Sequence, residues 1–157
     1  LYETVPSVPG CLLANAILGP SYVSFEYALS YYGMIPERVM VYTSASYKKR
    51  KKIEITNAFG TYVYRDVPEK AFPYCYTIMV LDGRPLLIAN REKALCDQLS
   101  IIPPIRGRAD FVENLFDGMR LDENAFNELD ATTIRRIAPT YHKTNLDQLV
   151  KLVDRRG

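Results

Sequence analysis

The spacing of hydrophobic residues changes twice along the chain, and each change marks a change of predicted structure. Near the start, apolar residues cluster from Cys11 to Leu18, which predicts a short helix that ends at Gly19-Pro20. From Phe25 to Tyr32 they recur at helical spacing, with Ser24 placed to cap the N-terminus and Gly33 to follow the C-terminus. The sequence therefore predicts two helices before the middle of the chain.

The middle of the chain is predicted to form a sheet, because β-branched and aromatic residues alternate there with polar ones. Asp82-Gly83 is a strong hairpin signal, so the segments on either side of it are predicted to pair antiparallel. Alternation also puts Tyr62 and Tyr64 on one face of their strand. The predicted strands are Val39–Ser46, Ile53–Ile55, Thr61–Val67, Tyr76–Leu81 and Arg84–Ala89.

Helical spacing returns in the last part of the chain. Asn90 is predicted to cap a helix from Arg91 to Ile102, which buries an apolar stripe and ends at Pro103-Pro104. Shorter helices are predicted over Ala109–Phe116, from an Asp122 cap to Leu129, over Ile134–Ala138 after a Thr132 or Thr133 cap, and after an Asn145 cap. The predicted class is α+β, with N-terminal helices, an antiparallel sheet of four to six strands and a C-terminal helical tail from about residue 104.

Composition narrows the classes of function. The 157 residues carry 20 Lys and Arg against 18 Asp and Glu, and 48% are apolar, which favours a globular domain without a strong overall field for nucleic acid. No apolar run reaches the roughly 18 residues that span a bilayer, so we expect no membrane partner. Three separated cysteines and one histidine, His142, argue against a Cys/His metal site and favour buried, reduced thiols in a cytoplasmic protein. We expect neither a metal nor a cofactor.

The sequence carries no recognisable catalytic motif, and we expect no enzyme activity and no catalytic residue. It has no Gly-x-Ser-x-Gly elbow and no Gly-rich phosphate loop. The sharpest alternative is a metal-dependent, nuclease-like domain, which needs an acid on one strand and Glu-x-Lys on the next. Asp82 would be the first acid, but the segment from Pro85 to Ala89 supplies neither carboxylate nor lysine. Convergence of Asp82, Glu54 and Asp66 in one cleft would favour this alternative.

One segment of the chain is a dense run of positive charge with a tyrosine directly before it. Its candidate nucleic-acid-binding residues are Tyr47, Lys48, Lys49, Arg50, Lys51 and Lys52. Five adjacent cations suit contacts to phosphates, and the tyrosine ring suits stacking on a base. The same run also suits a solvated turn between two strands, where lysines discourage edge-to-edge pairing. Both interpretations stay open.

The 12 tyrosines likewise suit either an interaction surface on the sheet or the rim of a modest core.

Three segments carry a resemblance to a known family: Gly19–Glu37, Phe59–Pro68 and Ile88–Asp97. Together they resemble the C-terminal domain of the AbiEi family, the antitoxins and transcriptional regulators of type IV abortive-infection toxin–antitoxin systems. The resemblance supplies no catalytic residues. It singles out five positions without giving them a role, namely Ser24, Glu26, Glu92, Lys93 and Asp97. Their spacing makes Lys93 and Asp97 neighbours across one helical turn.

The resemblance implies a cytoplasmic phage-defence protein that acts by binding. In the family, an N-terminal winged-helix domain binds operator DNA, and the C-terminal domain counteracts a nucleotidyltransferase-like toxin without needing a stable complex with it. The winged-helix domain has no counterpart in this sequence. We therefore expect residues 1–10 to be the linker from such a domain, and residues 11–157 to be the AbiEi-like C-terminal domain.

Overall fold

Six strands and seven α-helices form the ordered elements of residues 10–156, the part of the chain that the computed structural model describes. The expected linker comprises residues 1–10; residues 1–9 lie outside the described residues, and Gly10 already belongs to the first 3₁₀ turn. The strands are β1 Ser21–Val23, β2 Tyr42–Ser46, β3 Ile53–Asn57, β4 Gly60–Asp66, β5 Tyr76–Leu81 and β6 Arg84–Ala89. The helices are α1 Ala14–Ile17, α2 Phe25–Tyr31, α3 Arg91–Ser100, α4 Arg108–Glu113, α5 Glu123–Asn127, α6 Ala131–Ile137 and α7 Thr144–Arg156. Short 3₁₀ turns at Gly10–Leu13 and Ala138–Tyr141 precede α1 and α7, and a π-turn at Asn114–Gly118 extends α4.

The strands form one sheet in the order β3-β4-β2-β1-β6-β5, which confirms the predicted α+β class. The sheet is mixed, however, because β1 pairs parallel to β6 and β2 pairs parallel to β4. The expectation of an antiparallel sheet holds only for the other three pairings. Strand β4 folds back from β3 into the space between β3 and β2, and it therefore runs in the same direction as β2. Alternation within a strand carries no information about such distant pairing.

Helices cover both faces of the sheet, and tyrosines fill the space beneath them. Tyr62 and Tyr64 are fully buried on one face, where their hydroxyls donate to the carbonyls of Gly10 and Ala14. Tyr22 is buried on the opposite face, beneath α3. The interpretation of the tyrosines as an interaction surface is therefore wrong for these three residues, which lie in the core. A phenol can be buried this way because its hydroxyl finds an acceptor.

Helix α3 is the central helix, and nine of its ten residues are buried. It packs against α2, α6, α7 and β6, so it has no face left for solvent. The predicted cap is confirmed, because the Asn90 side chain accepts the N–H of Lys93. The predicted apolar stripe is too narrow: polar residues such as Gln98 are buried on this helix as well.

Two other predicted caps are wrong. Asp130, rather than Thr132 or Thr133, caps α6, because its carboxylate accepts the N–H of Thr132 and the hydroxyl of Thr133. Asn145 lies inside α7 rather than before it. Its buried amide donates to the carbonyls of Leu99, Ile102 and Pro103, which satisfies backbone groups that α3 leaves unpaired where it ends.

Candidate functional site

Two charged side chains with opposite signs lie at the centre of the molecule. Lys93 and Asp97 each have no solvent exposure, and their Nζ and Oδ1 atoms are 3.1 Å apart. They are one turn apart on α3, as their spacing predicted. Burying a charge this completely requires compensation from every side, because a charged group without partners is strongly unfavourable away from water.

Hydrogen bonds from three further residues complete that compensation. The hydroxyls of Tyr22 and Ser24 donate to Asp97 Oδ2 over 2.9 and 2.7 Å. The hydroxyl of Tyr141 donates to Asp97 Oδ1 and accepts from Lys93 Nζ at 2.6 Å. With Lys93 itself, the carboxylate has four partners, which matches its four lone-pair positions. We call Tyr22, Ser24, Lys93, Asp97 and Tyr141 the buried network.

Ser24 occupies the N-cap position of α2 but does not cap it, which corrects the sequence prediction. Its hydroxyl turns inward to Asp97, so α2 has no side-chain cap. Phe25, the next residue, has φ of 58°, a left-handed conformation that is strained for an aromatic residue. The Thr43 hydroxyl donates to the Ser24 carbonyl at 2.6 Å and helps to hold this turn.

The other two residues singled out by the resemblance differ from each other. Glu92 is buried, and its Oε2 accepts the N–H of Asp130 at 2.8 Å, which ties α3 to the start of α6. Glu26 is exposed in the first turn of α2. Four of the five residues therefore hold the chain together from inside, and Glu26 alone faces solvent.

The buried network suits a structural role better than a chemical one. Burial, followed by the nearby Asp97 carboxylate, raises the pKa of both Tyr22 and Tyr141 well above its usual range. Both phenols therefore keep their protons and remain donors. All five members have at most 3% exposure, so the network has no open side where a substrate would reach it.

The cationic run forms the loop between β2 and β3, and its members have different environments. Lys48 pairs with Glu69 at 3.3 Å, and Lys49 donates to the Gly19 carbonyl at 3.1 Å. The other three, Arg50, Lys51 and Lys52, are exposed and have no ion pair among residues 10–156.

Asp66 fixes the backbone of this loop. Its carboxylate accepts the N–H groups of Lys49 and Arg50 and the hydroxyl of Ser46. Partial burial opposes ionisation of this carboxyl, but these hydrogen bonds outweigh it and lower the pKa of Asp66. The loop therefore has a defined shape even though its cations lie in solvent.

Tyr47 is less available for stacking than the sequence suggested. Its ring packs on Phe72 with 5.1 Å between centroids, and its hydroxyl donates to Glu69. Lys48 Nζ lies 5.3 Å from the centre of the same ring. A base would have to displace one of these contacts before it stacked on Tyr47.

The carboxylates of the nuclease-like alternative do not converge. Asp82 lies in the hairpin between β5 and β6, at one edge of the sheet, whereas Glu54 lies on β3 at the other edge. Asp66 is already engaged with the cationic loop. Among residues 10–156, no group of three or more His, Cys, Asp or Glu side chains is arranged to hold a metal ion.

Comparisons with known proteins add no constraint: family models, curated proteins and solved structures each gave no match to this chain. The AbiEi resemblance therefore stays a prediction. The helices of the described part of the chain include none with the length and hydropathy needed to cross a membrane.

The sequence gives no indication that Tyr141 belongs to the buried network. The residue lies 44 positions after Asp97, and no local pattern links the two. A tyrosine flanked by polar residues gives no signal of burial by itself.

We expect Lys93 and Asp97 to act as one unit in stability. Lys93→Met and Asp97→Asn, each alone, should lower the free energy of unfolding by about 3–5 kcal/mol, because each leaves one buried charge without its partner. The double variant should lose clearly less than the sum of the two, since no unpaired charge remains. Denaturant unfolding measures all three variants.

Lys151→Met is the matched control, because Lys151 is exposed on α7. It should change the free energy of unfolding by no more than about 0.5 kcal/mol. Additive losses in the double variant would contradict the view that Lys93 and Asp97 form a coupled pair.

Proposed function

We propose that this chain is an antitoxin and transcriptional-regulator domain of a type IV abortive-infection system, and that it acts by binding rather than by catalysis. The buried residues support the part of the proposal that excludes catalysis. Four of the five residues that resemble the family, namely Ser24, Glu92, Lys93 and Asp97, are buried and paired within the fold. Their presence is explained by architecture, so they need no role in a reaction.

The observation that carries the proposal is the exposed end of the cationic loop. Arg50, Lys51 and Lys52 are adjacent and exposed, on a backbone that Asp66 holds in place. Cations free of protein partners are the ones that gain most from phosphate, because no ion pair has to break first. A preset loop also loses little conformational freedom on binding. Nucleic acid is the partner that this loop fits best.

The remaining parts of the proposal come from the family resemblance. Operator DNA would be bound mainly by a winged-helix domain, with the cationic loop adding phosphate contacts beside it. The functional partner would be a nucleotidyltransferase-like toxin. A domain that binds nucleic acid through its own surface would counteract such an enzyme without a stable protein complex.

Charge reversal of Arg50, Lys51 and Lys52 to Glu should weaken nucleic-acid binding. It should also make the slope of log affinity against log salt shallower by about 0.9 for each lost contact to duplex phosphates. Gel shifts over a salt series, with duplex and single-stranded probes, measure both effects. The control reverses Arg106, Arg108 and Lys151, which are also exposed cations but lie in the helical tail. Equal affinities and slopes for the two triple variants would rule out the loop as the contact.

Co-expression with the nucleotidyltransferase-like toxin of the same operon tests the antitoxin role. The wild-type chain should restore growth, and the loop variant should restore less of it at the same soluble protein level. The tail variant should behave as wild type, because it keeps the cationic loop. Failure of the wild-type chain to restore any growth would contradict the antitoxin assignment, whatever the nucleic-acid binding shows.

A further inference from the structure

The two edge strands of the sheet differ in charge. Strand β3, at one edge, carries Glu54 and directly follows Lys52, and both side chains are exposed. Charges at a sheet edge discourage pairing with another chain. Strand β5, at the other edge, runs from Tyr76 to Leu81 without a charged residue or a proline. Of the two edges, β5 is therefore the one without these obstacles to further pairing.

The pairing of β5 with β6 shows which of its backbone groups face the open edge. The Asn90 N–H donates to the Cys75 carbonyl at 2.9 Å, which places Cys75 in a hydrogen-bonded pair. Pairs of this kind alternate along an antiparallel ladder, so the odd-numbered residues of β5 bond to β6. The even-numbered residues point their N–H and C=O groups outward, and no residue in 10–156 bonds to them. They are Tyr76, Ile78 and Val80.

The side chains of these three residues lie on one face of the sheet, because residues two apart in a strand share a face. The Tyr76 ring stacks on Tyr22 with 4.8 Å between centroids, so this is the face that α3 covers. Ile78 and Val80 lie further along the strand and are 65% and 70% exposed. Pro85, opposite Val80 on β6, is exposed as well. The outer hairpin thus carries an apolar patch directly beside the open edge.

We propose that β5 pairs antiparallel with the same strand of a second copy of this chain. Two antiparallel strands can be related by a two-fold axis, which is the symmetry of most closed dimers. With the axis at Ile78, this residue would face its own counterpart, and Tyr76 would face Val80 of the second copy. This register joins all the outward-facing residues of β5 in pairs, and each pair exchanges two hydrogen bonds.

The distribution of charge favours a second copy as the occupant. The residues of β5 offer no charge to an incoming strand, so a charged strand would lose water without gaining an ion pair. Strand β5 itself meets this requirement. At the end of the ladder, the Asp82 carboxylate would approach Tyr74, which is 48% exposed, rather than another carboxylate. The two apolar patches would also join across the axis and cover each other.

The inference goes beyond the proposed function and does not rest on it, because the cationic loop lies on the β3 side of the sheet. Pairing through β5 would leave that loop free in both copies. It would place the two loops at opposite ends of one continuous sheet. Failure of nucleic-acid binding and failure of dimerisation are therefore separate results.

Sedimentation velocity of the full chain over a range of concentrations tests the proposal. The ladder is short, so we expect a reversible dimer with a Kd of about 1–100 μM. Ile78→Lys should raise the Kd at least about tenfold, because it places two like charges opposite each other at the axis. Thr56→Lys is the matched control. It adds the same charge at an exposed position of the other edge strand, β3, and should leave the Kd unchanged.

Two further measurements separate edge pairing from a damaged fold and from contact through the apolar patch alone. Since Ile78 is largely exposed, Ile78→Lys should unfold at about the temperature of Thr56→Lys when both are monomeric. In the wild type, hydrogen exchange at the outward-facing amides of β5 should slow as the protein concentration rises. The amides of β5 that already bond to β6 should change much less.

Three results would overturn the proposal. The first is a chain that stays monomeric up to about 500 μM, which would assign β5 to a different partner or to none. The second is a dimer that Ile78→Lys and Thr56→Lys weaken equally. The third is a dimer whose formation leaves the outward-facing amides of β5 without added protection.

Discussion

A carboxylate that cannot reach water must be satisfied by the protein, and in this fold that requirement falls on Asp97. Its donors come from β1, from the residue before α2, from α3 itself and from the 3₁₀ turn at Ala138–Tyr141. The donors come from three segments that are far apart in the sequence, at Tyr22 and Ser24, at Lys93 and at Tyr141, and each segment must be in place for the carboxylate to be paired. The buried network thus fixes where the sheet, the central helix and the helical tail meet. A well-packed apolar cluster would stabilise the same junction without this dependence on each partner.

The residues singled out by the family resemblance mostly hold the interior together and leave contacts with partners to the surface. Four of the five residues that the resemblance singles out are buried, and one of them, Glu92, adds a second tie between α3 and the tail. The proposed contact to nucleic acid lies outside this interior, at the exposed Arg50, Lys51 and Lys52 of the loop between β2 and β3. The buried network also reaches the start of α2, because the Ser24 hydroxyl pairs with Asp97 instead of capping that helix, and Phe25 follows it in a left-handed conformation.

Local chemistry predicted much of the fold, and distant contacts account for the errors. Asn90 and the Asp82-Gly83 hairpin act over a few residues, and both were predicted correctly. Ser24 and Asn145 have side chains that cap helices well, but neither caps one here. Ser24 donates to Asp97 and Asn145 donates to the carbonyl of Leu99, and both partners are distant in the sequence. The same holds for the candidate site. The cationic run is evident from the sequence, but only the structure shows that Lys48 pairs with Glu69 and that Lys49 donates to the carbonyl of Gly19. The burial of Gln98 could not be predicted either, because an amide within a helix is typical of an exposed position unless its neighbours are known.

The central claim is that the buried network makes the sheet and the helical tail one cooperative unit. Native-state hydrogen exchange of the wild type and of Lys93→Met measures this directly. In the wild type, the slowest amides of β1, α3 and α7 should exchange with one common free energy of opening. In the variant, these amides should lose protection together and by the same amount. Loss confined to the tail, with β1 and α3 unchanged, would contradict the claim.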